Sequence, residues 1–243
     1  TEVPERKVSN MTSPTNIGLY LLSVLCAGKL GFVDRKEIFN RLFSCLSCVA
    51  KLEKHKGLLY NWYDVFELSP MNPKYVSSVD LGNYAACLIA VREGICDFSE
   101  NAYECEKIRV LCDKLLSETD VSLLFDKTRK LFYIGMQERN GKVVFDKNRY
   151  DMLMSEARMT AYYAVAASVV PKRHWQSLGR TLTHKSGYIG MKSWSGTAFE
   201  YFMPTLLLPL HKNSLHYEAL RFAFYEQHKK KKRGIFGKSE SGY

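Results

Sequence analysis

Two kinds of helical pattern alternate along the first half of the chain, and that alternation limits the folds open to it. Thr12-Ser13-Pro14-Thr15-Asn16 carries capping side chains and a proline suited to a first turn. The helix it opens runs from Ile17 to about Leu30, ends near Gly31, and is apolar almost all round. A helix without a polar face has to be covered on every side. Arg35 to Lys54 is different: Ile38, Leu42, Cys45, Leu46 and Val49 share one face, with charges opposite. Val79 to Glu93 is again apolar, and Asn101 to Leu116 again amphipathic. Inner, outer, inner, outer is the order expected when antiparallel helix pairs wrap into an α/α toroid, because a flat bundle needs no wholly apolar helix in each pair.

The rest of the chain extends an all-α pattern around one small β insertion. Leu123–Asp126 and Leu131–Gly135 flank a turn at Lys127-Thr128-Arg129, and Asn140-Gly141 is a hairpin turn signal. Tyr150 to Ala167 reads as a fifth helix, Arg173 to Leu178 as a short helical turn, and Met191 to Gly196 as an ordered loop or edge strand. Thr197 to Leu208, interrupted by Pro204, and Ser214 to Lys232 complete the set. At 243 residues the chain is long for one domain and short for two, and residues 1–243 are read as one.

Residues 55–83 are too rich in aromatic and polar groups for a plain connector. Tyr60, Trp62, Tyr63 and Tyr75 offer flat faces, with Asn61, Asp64, Asp80 and Asn83 beside them. Flat rings pack on the C–H faces of sugars while amides and carboxylates reach hydroxyls, so the mixture suits a carbohydrate. The plainer reading is a core-packing loop whose polar tips are satisfied.

Isolated acids in apolar surroundings are the candidates for chemistry. Glu156 sits among small and apolar neighbours, where desolvation favours the protonated form a general acid needs; its plain alternative is an ion pair with Arg158 or another base. Glu200 is one acid in an apolar helix, and Glu240 taken alone is a tail acid. Much of the net charge of +10 is gathered in the last forty residues, above all in the run Lys229 to Arg233, which reads as a solvated helix end rather than a nucleic-acid footprint. Seven cysteines, an odd number set in helical patterns, suit free thiols; the C-x-x-C at Cys45 and Cys48 has no second pair to complete a zinc site. The six histidines form no metal spacing, and no phosphate-binding glycine loop is present, so no metal or cofactor is expected. The start of the chain lacks the features of a secretory signal, and the apolar stretch at Ile17 to Ala27 is too short to span a bilayer.

Six segments occur in one order: M-T-S-P-T-N-I-G-L-Y-L-L from Met11, Y-N-W-Y-D from Tyr60, Y-V-S-S-V-D-L-G-N from Tyr75, Y-D-M-L-M-S-E-A-R from Tyr150, S-W-S-G-T-A-F-E-Y-F-M-P from Ser193 and S-E-S-G-Y from Ser239. Together they resemble the glycoamylase-like domain of bacterial cyclic β-1,2-glucan synthases, from about Met11 to the last residue. The resemblance implies an (α/α)6 barrel with its cleft at one end of the inner helices. It implies retaining cleavage and transglycosylation of linear β-1,2-glucan, with ring closure. It implies Glu156 as general acid/base and Glu240 as nucleophile. Asn61, Trp62, Tyr63, Asp64, Asp80, Arg158, Trp194 and Glu200 are the substrate-binding residues its motifs supply. The parent of such a domain is a multidomain membrane protein, with this part on the cytoplasmic side of the inner membrane between a glycosyltransferase region and a phosphorylase-like region. Phe66-Glu67 departs from the more basic or polar pair expected there. The family's barrel continues beyond S-E-S-G-Y, so the chain is expected to be a C-terminally truncated, incomplete barrel and inactive alone. A β-1,2-glucan endo-hydrolase, or a non-catalytic all-α interaction module with a basic tail, are the alternatives.

Overall fold

A computed structural model describes residues 9–98, 101–185 and 187–229. The chain divides into two compact units. Its helices are α1 (Pro14–Lys29), α2 (Arg35–Val49), α3 (Ser78–Gly94), α4 (Ala102–Glu118), α5 (Arg158–Ala166), α6 (Arg173–Ser177), α7 (Ala198–Phe202) and α8 (Leu215–Lys229).

The first unit comprises Thr1–Leu124 with Tyr133–Lys147 and holds α1 to α4. Each helix starts where a short polar side chain caps it. The Ser13 side chain accepts from the Asn16 N–H, Asp34 from Glu37, Ser77 from Asp80 and Asn101 from Tyr103. Helices α1 and α3 run parallel and in close contact: Asn83 donates to the Thr15 hydroxyl at 3.1 Å near their starts, and Leu25 meets Gly94 near their ends. Gly18 makes the approach possible, since a Cβ there would lie 2.9 Å from the Cys87 Cβ and 3.2 Å from the Tyr84 Cα. Helix α4 runs back along α3, with Tyr84 near Glu118 and Arg92 paired to Asp113. Parallel α1 and α3 with α2 returning between them in sequence is the arrangement expected of inner and outer helix pairs.

Burial refines the inner-helix expectation. Ten of the seventeen residues of α3 are buried, but only six of the sixteen of α1. The Tyr20 side of α1 faces a groove of about 210 Å³, lined also by Ser23, Val24, Ala27, Val33 and Arg41. Helix α2 stops at Val49 rather than Lys54, because Lys54–His55 pairs with Leu58–Leu59 in a tight hairpin. Gly57 shapes its turn at φ +89°, and a Cβ there would lie 2.3 Å from the Glu118 carbonyl oxygen. Gly57→Ala is therefore expected to destabilise this unit by about 2 kcal/mol or more, as a strained backbone and a backbone clash together. A urea midpoint equal to that of the parent would refute it.

β structure is more widespread than one insertion, because short segments pair across the connections. Met11–Thr12 pairs with Tyr63–Asp64, and Tyr75–Ser77 with Gly135–Arg139, which pairs in turn with Lys142–Phe145 through the expected Asn140-Gly141 turn.

The second unit comprises Phe125–Phe132 with Asn148–Tyr243. Phe125–Asp126 and Leu131–Tyr133 pair, and the Asp126 carboxylate closes their turn by accepting from the Thr128 and Arg129 N–H groups and from the Arg149 Nε at 2.7 Å. Its core joins Leu153, Met154, Ala161, Leu178, Met191, Tyr201, Ala219, Leu220 and Ala223. Helix α5 begins eight residues later than its alanine-rich sequence suggests. Residues 151–153 are instead drawn into backbone pairing with Gly179, which donates to the Asp151 carbonyl at 2.6 Å and accepts from Leu153 at 3.0 Å.

Candidate functional site

In the second unit, Glu156 lies in the turn before α5 and not within the helix. Ser155 organises the turn, its hydroxyl accepting from the Ala157 N–H at 3.1 Å. The half-buried Glu156 carboxylate accepts from the Tyr150 hydroxyl at 3.2 Å and from the Ser155 hydroxyl at 3.4 Å. Tyr150 in turn stacks on Trp194, ring centroids 4.9 Å apart and 15° between planes. The Trp194 indole N–H donates to Asp151 at 2.9 Å, and the ring is 41% exposed. Carboxyl, hydroxyl and a pinned aromatic face are thus brought together over 150–156 and 194.

Arg158 does not pair with Glu156. Its guanidinium is buried, donating to the Met154 sulfur at 3.0 Å and the Tyr201 carbonyl at 3.2 Å, with no carboxylate partner among the described residues. Burial pulls it down to about 10, still charged at neutral pH. It lines a cavity of about 10 Å³ with Tyr150, Met152 and His174, a volume that fits about one water. A substrate-binding Arg158 is at odds with this burial.

Glu200 is only 2% exposed, and its carboxylate is bonded within its own loop. The carboxylate accepts from the Ser193 and Ser195 hydroxyls, both at 2.9 Å, and from the N–H groups of Ser195, Gly196 and Thr197 at 2.8–3.1 Å. With Thr197 it forms the capping box of α7. Burial pushes its pKa up, but the bonds from Thr197, Ser193 and Ser195 outweigh it and leave the group below its usual value. Glu200 thus shapes the loop that carries Trp194: the donors converge on Oε2, while Oε1, which accepts from the Ser195 N–H, is buried with it. Glu240 lies outside the described residues, as does the basic run beyond Lys229.

The first unit divides the other expected residues sharply. Trp62 is 39% exposed, whereas its neighbour Tyr63 is 1% exposed and belongs to the core. The Tyr63 hydroxyl donates to the Glu53 carbonyl at 2.6 Å and accepts from the Tyr60 N–H at 3.0 Å, and burial pushes its pKa up to about 12. Tyr60 donates to Glu138 and Tyr75 to Asp146, so the plainer reading of the aromatic stretch holds for three of its four rings. Asp64 is a turn former: its carboxylate accepts from the Glu67 and Phe66 N–H groups and from the Asn10 side chain, and the first two bonds hold it below the usual carboxylate range. Asp80, half-buried in the first turn of α3, has a carboxylate with no hydrogen-bond partner among the described residues. Asn61 and Asn83 each bury a side-chain oxygen without a partner. Asp80, Asn61 and Asn83 therefore keep hydrogen-bonding capacity open. Asn83 was visible in the sequence as a polar neighbour of the aromatics. Tyr150 and Asp151 carried no separate signal, since their value lies in contact with Glu156 and Trp194.

Two histidines, His174 buried and His216 half-buried, are expected to make the second unit acid-sensitive. Burial, with Arg158 and Arg180 nearby, pulls His216 down to about 4, and burial lowers His174, whose Nδ1 faces the Lys130 carbonyl at 2.8 Å. An unfolded histidine titrates near ~6.5, so between there and about 4 the unfolded chain binds more protons. Stability of this unit is expected to be full above that window and to fall as pH drops through it. Melting at stepped pH should show the fall, and His216→Phe should flatten it; an unchanged slope in that variant would disprove the assignment.

No protein-family model matches the chain. In sequence it is similar to the cyclic β-(1,2)-glucan synthase NdvB of Rhizobium meliloti (strain 1021), 26% identical over an alignment of 329 residues that takes in 85% of this chain and 12% of that protein. The chain thus spans about an eighth of the length of that relative. In structure it is similar to an endo-β-1,2-glucanase from Chitinophaga pinensis solved with sophorotriose and glucose, at a TM-score of 0.76 and 15% identity, covering 94% of this chain and 58% of that one. An endo-β-1,2-glucanase from Talaromyces funiculosus, solved as a mutant with β-1,2-glucan, gives a TM-score of 0.70 at 9% identity, covering 91% of this chain and 52% of that one. The chain shares the fold of these helical enzymes over nearly all its own length and about half of theirs. Among the described residues no helix is long and apolar enough to cross a membrane.

Proposed function

We propose that the chain is part of an (α/α)6 toroid domain that binds linear β-1,2-glucan and acts on its glycosidic bonds, by retaining cleavage and transglycosylation leading to ring closure. The observation that carries this reading is the agreement of independent likenesses on one linkage. A sequence relative and solved folds, found by different routes, both bear β-1,2-glucan in their names. The local chemistry fits. Glu156 is the general acid/base, held by Tyr150 and Ser155. Trp194 and Trp62 present exposed faces for sugar rings, and Asp80 and Asn61 present open acceptors. Glu240 is the nucleophile of the retaining reaction, attacking the anomeric carbon to form a glycosyl-enzyme. Hydrolysis is the second reading, favoured by the glucanases among the structural likenesses; it differs only in that water, not a sugar hydroxyl, resolves the glycosyl-enzyme. The larger protein would carry neighbouring glycosyltransferase and phosphorylase-like domains and hold this one on the cytoplasmic side of a bacterial inner membrane.

Calorimetric titration with linear β-1,2-glucan tests the reading. Saturable binding is expected, weakened about tenfold by Trp194→Ala, the loss of roughly 1.4 kcal/mol of stacking on a pinned ring. Binding of a polyanion in place of the glucan would favour a non-catalytic interaction module. Ring products lacking a reducing end would separate transglycosylation from hydrolysis.

A further inference from the structure

The cysteines have no part in the glucan reading, and two of them are placed for chemistry. Cys87 and Cys112 are buried, and burial raises Cys45 to about 11. The sequence-obvious pair, Cys45 and Cys48, lies within α2, where the Cys48 thiol adds to the upward pull of burial on Cys45. The thiols of Cys96 and Cys105 are in contact: Cys96 is exposed in the 3-10 turn Ile95–Asp97 that follows α3, Cys105 is half-buried in the first turn of α4, and their sulfurs are 2.9 Å apart. That is within about 1 Å of a disulfide bond, so closure asks only for a small side-chain movement.

We propose that Cys96 and Cys105 form a reversible covalent site for small disulfide oxidants of the glutathione disulfide class. Cys96, the exposed member, loses its proton and attacks one sulfur of the oxidant. Its new S–S bond is a mixed disulfide, and one glutathione thiolate leaves and takes up a proton. Cys105 then loses its proton and attacks the Cys96 sulfur, expelling the second glutathione. Two protein thiols are oxidised to one disulfide, and one glutathione disulfide is reduced to two thiols. The order follows from placement: Cys105 is the less accessible, and its burial and the Cys96 thiol hold its proton on, while Arg109 one turn along α4 pulls the other way. The bond would tie the end of α3 to the start of α4, at the opposite end of α3 from Asp80.

The test treats the reduced, full 243-residue chain with glutathione disulfide at neutral pH, then alkylates, digests and weighs the peptides. The expected result is loss of two titratable thiols and a Cys96–Cys105 cross-link within one chain. Cys105→Ser should leave Cys96 carrying a persistent glutathione, and Cys96→Ser should leave Cys105 largely unmodified. Both variants are expected to keep the parent far-ultraviolet dichroism, since the site is at the surface. A cross-link at Cys45–Cys48 instead, a link between chains, or both thiols still open to alkylation would overturn the proposal. So would a Cys105→Ser chain that gains no glutathione at Cys96.

Discussion

Glu156→Gln is expected to lower turnover of linear β-1,2-glucan by the intact protein about 10²–10⁴-fold, the usual weight of a positioned proton donor. The substitution is nearly isosteric. The amide oxygen can still accept from the Tyr150 hydroxyl, which now stands 3.2 Å from the carboxylate, and from Ser155. The turn before α5 is held by the Ala157 N–H bond to the Ser155 hydroxyl and by backbone pairing with Gly179, both of which the amide leaves in place. Fold and glucan affinity should therefore survive while the transferable proton is lost. A drop in both turnover and melting temperature would mean that Glu156 is a structural group. Near-normal turnover would remove it from the chemistry altogether. Trp194→Ala is the useful partner: it should weaken binding more than it slows the bound complex, since in the proposed site the ring holds sugar and moves no proton.

What could be read from the residues was mostly local. The cap of α1, the Asn140-Gly141 turn and the breaks at Gly31 and Pro204 depend on neighbours in the chain, and the elements stand within a few residues of where those signals put them. The start of α5 could not be read so. Residues 150–167 have the composition of a helix, and partners distant in the sequence, the strand at Leu131–Tyr133 with Gly179 and Trp194, help to hold 150–157 out of it. Nor does residue type sort neighbours into core and surface. Trp62 and Tyr63 are adjacent aromatics, and the strand at Tyr63–Asp64 sends the second inwards because successive side chains point to opposite faces. A strand only two residues long leaves too little alternation to detect. The same limit applies to the acids. Asp64, Asp80, Glu156 and Glu200 look alike as isolated carboxylates, yet the first closes a turn, the second keeps its oxygens open, the third faces Tyr150 and the fourth is buried under a loop's donors.

Glu200 therefore calls for the opposite result to Glu156. Glu200→Gln is expected to destabilise the second unit by about 3 kcal/mol or more. The donors converge on one oxygen, Oε2, so a neutral amide weakens every one of those charge-assisted bonds, each worth about 1.5–3 kcal/mol, and sets its own N–H groups against the Ser195 N–H in place of Oε1. The donors concerned are the Ser193 and Ser195 hydroxyls and the N–H groups of Ser195, Gly196 and Thr197. Because the folded state holds this acid below its ordinary value, its share of the stability is present above the unfolded pKa and is lost as pH falls through the folded one. The variant should flatten that acid limb as well as lower the melting temperature. The effect should also reach Trp194, which sits between two of the donors. Loosening residues 193–197 should free its indole from Asp151 and its ring from Tyr150, shifting its fluorescence before global unfolding. Glucan affinity is then lost in proportion to the loop's disorder and returns when the loop is stabilised by cooling or by saturating glucan. If Glu200 instead touched the sugar, Glu200→Gln would weaken binding while leaving the melting temperature and the Trp194 signal where they were.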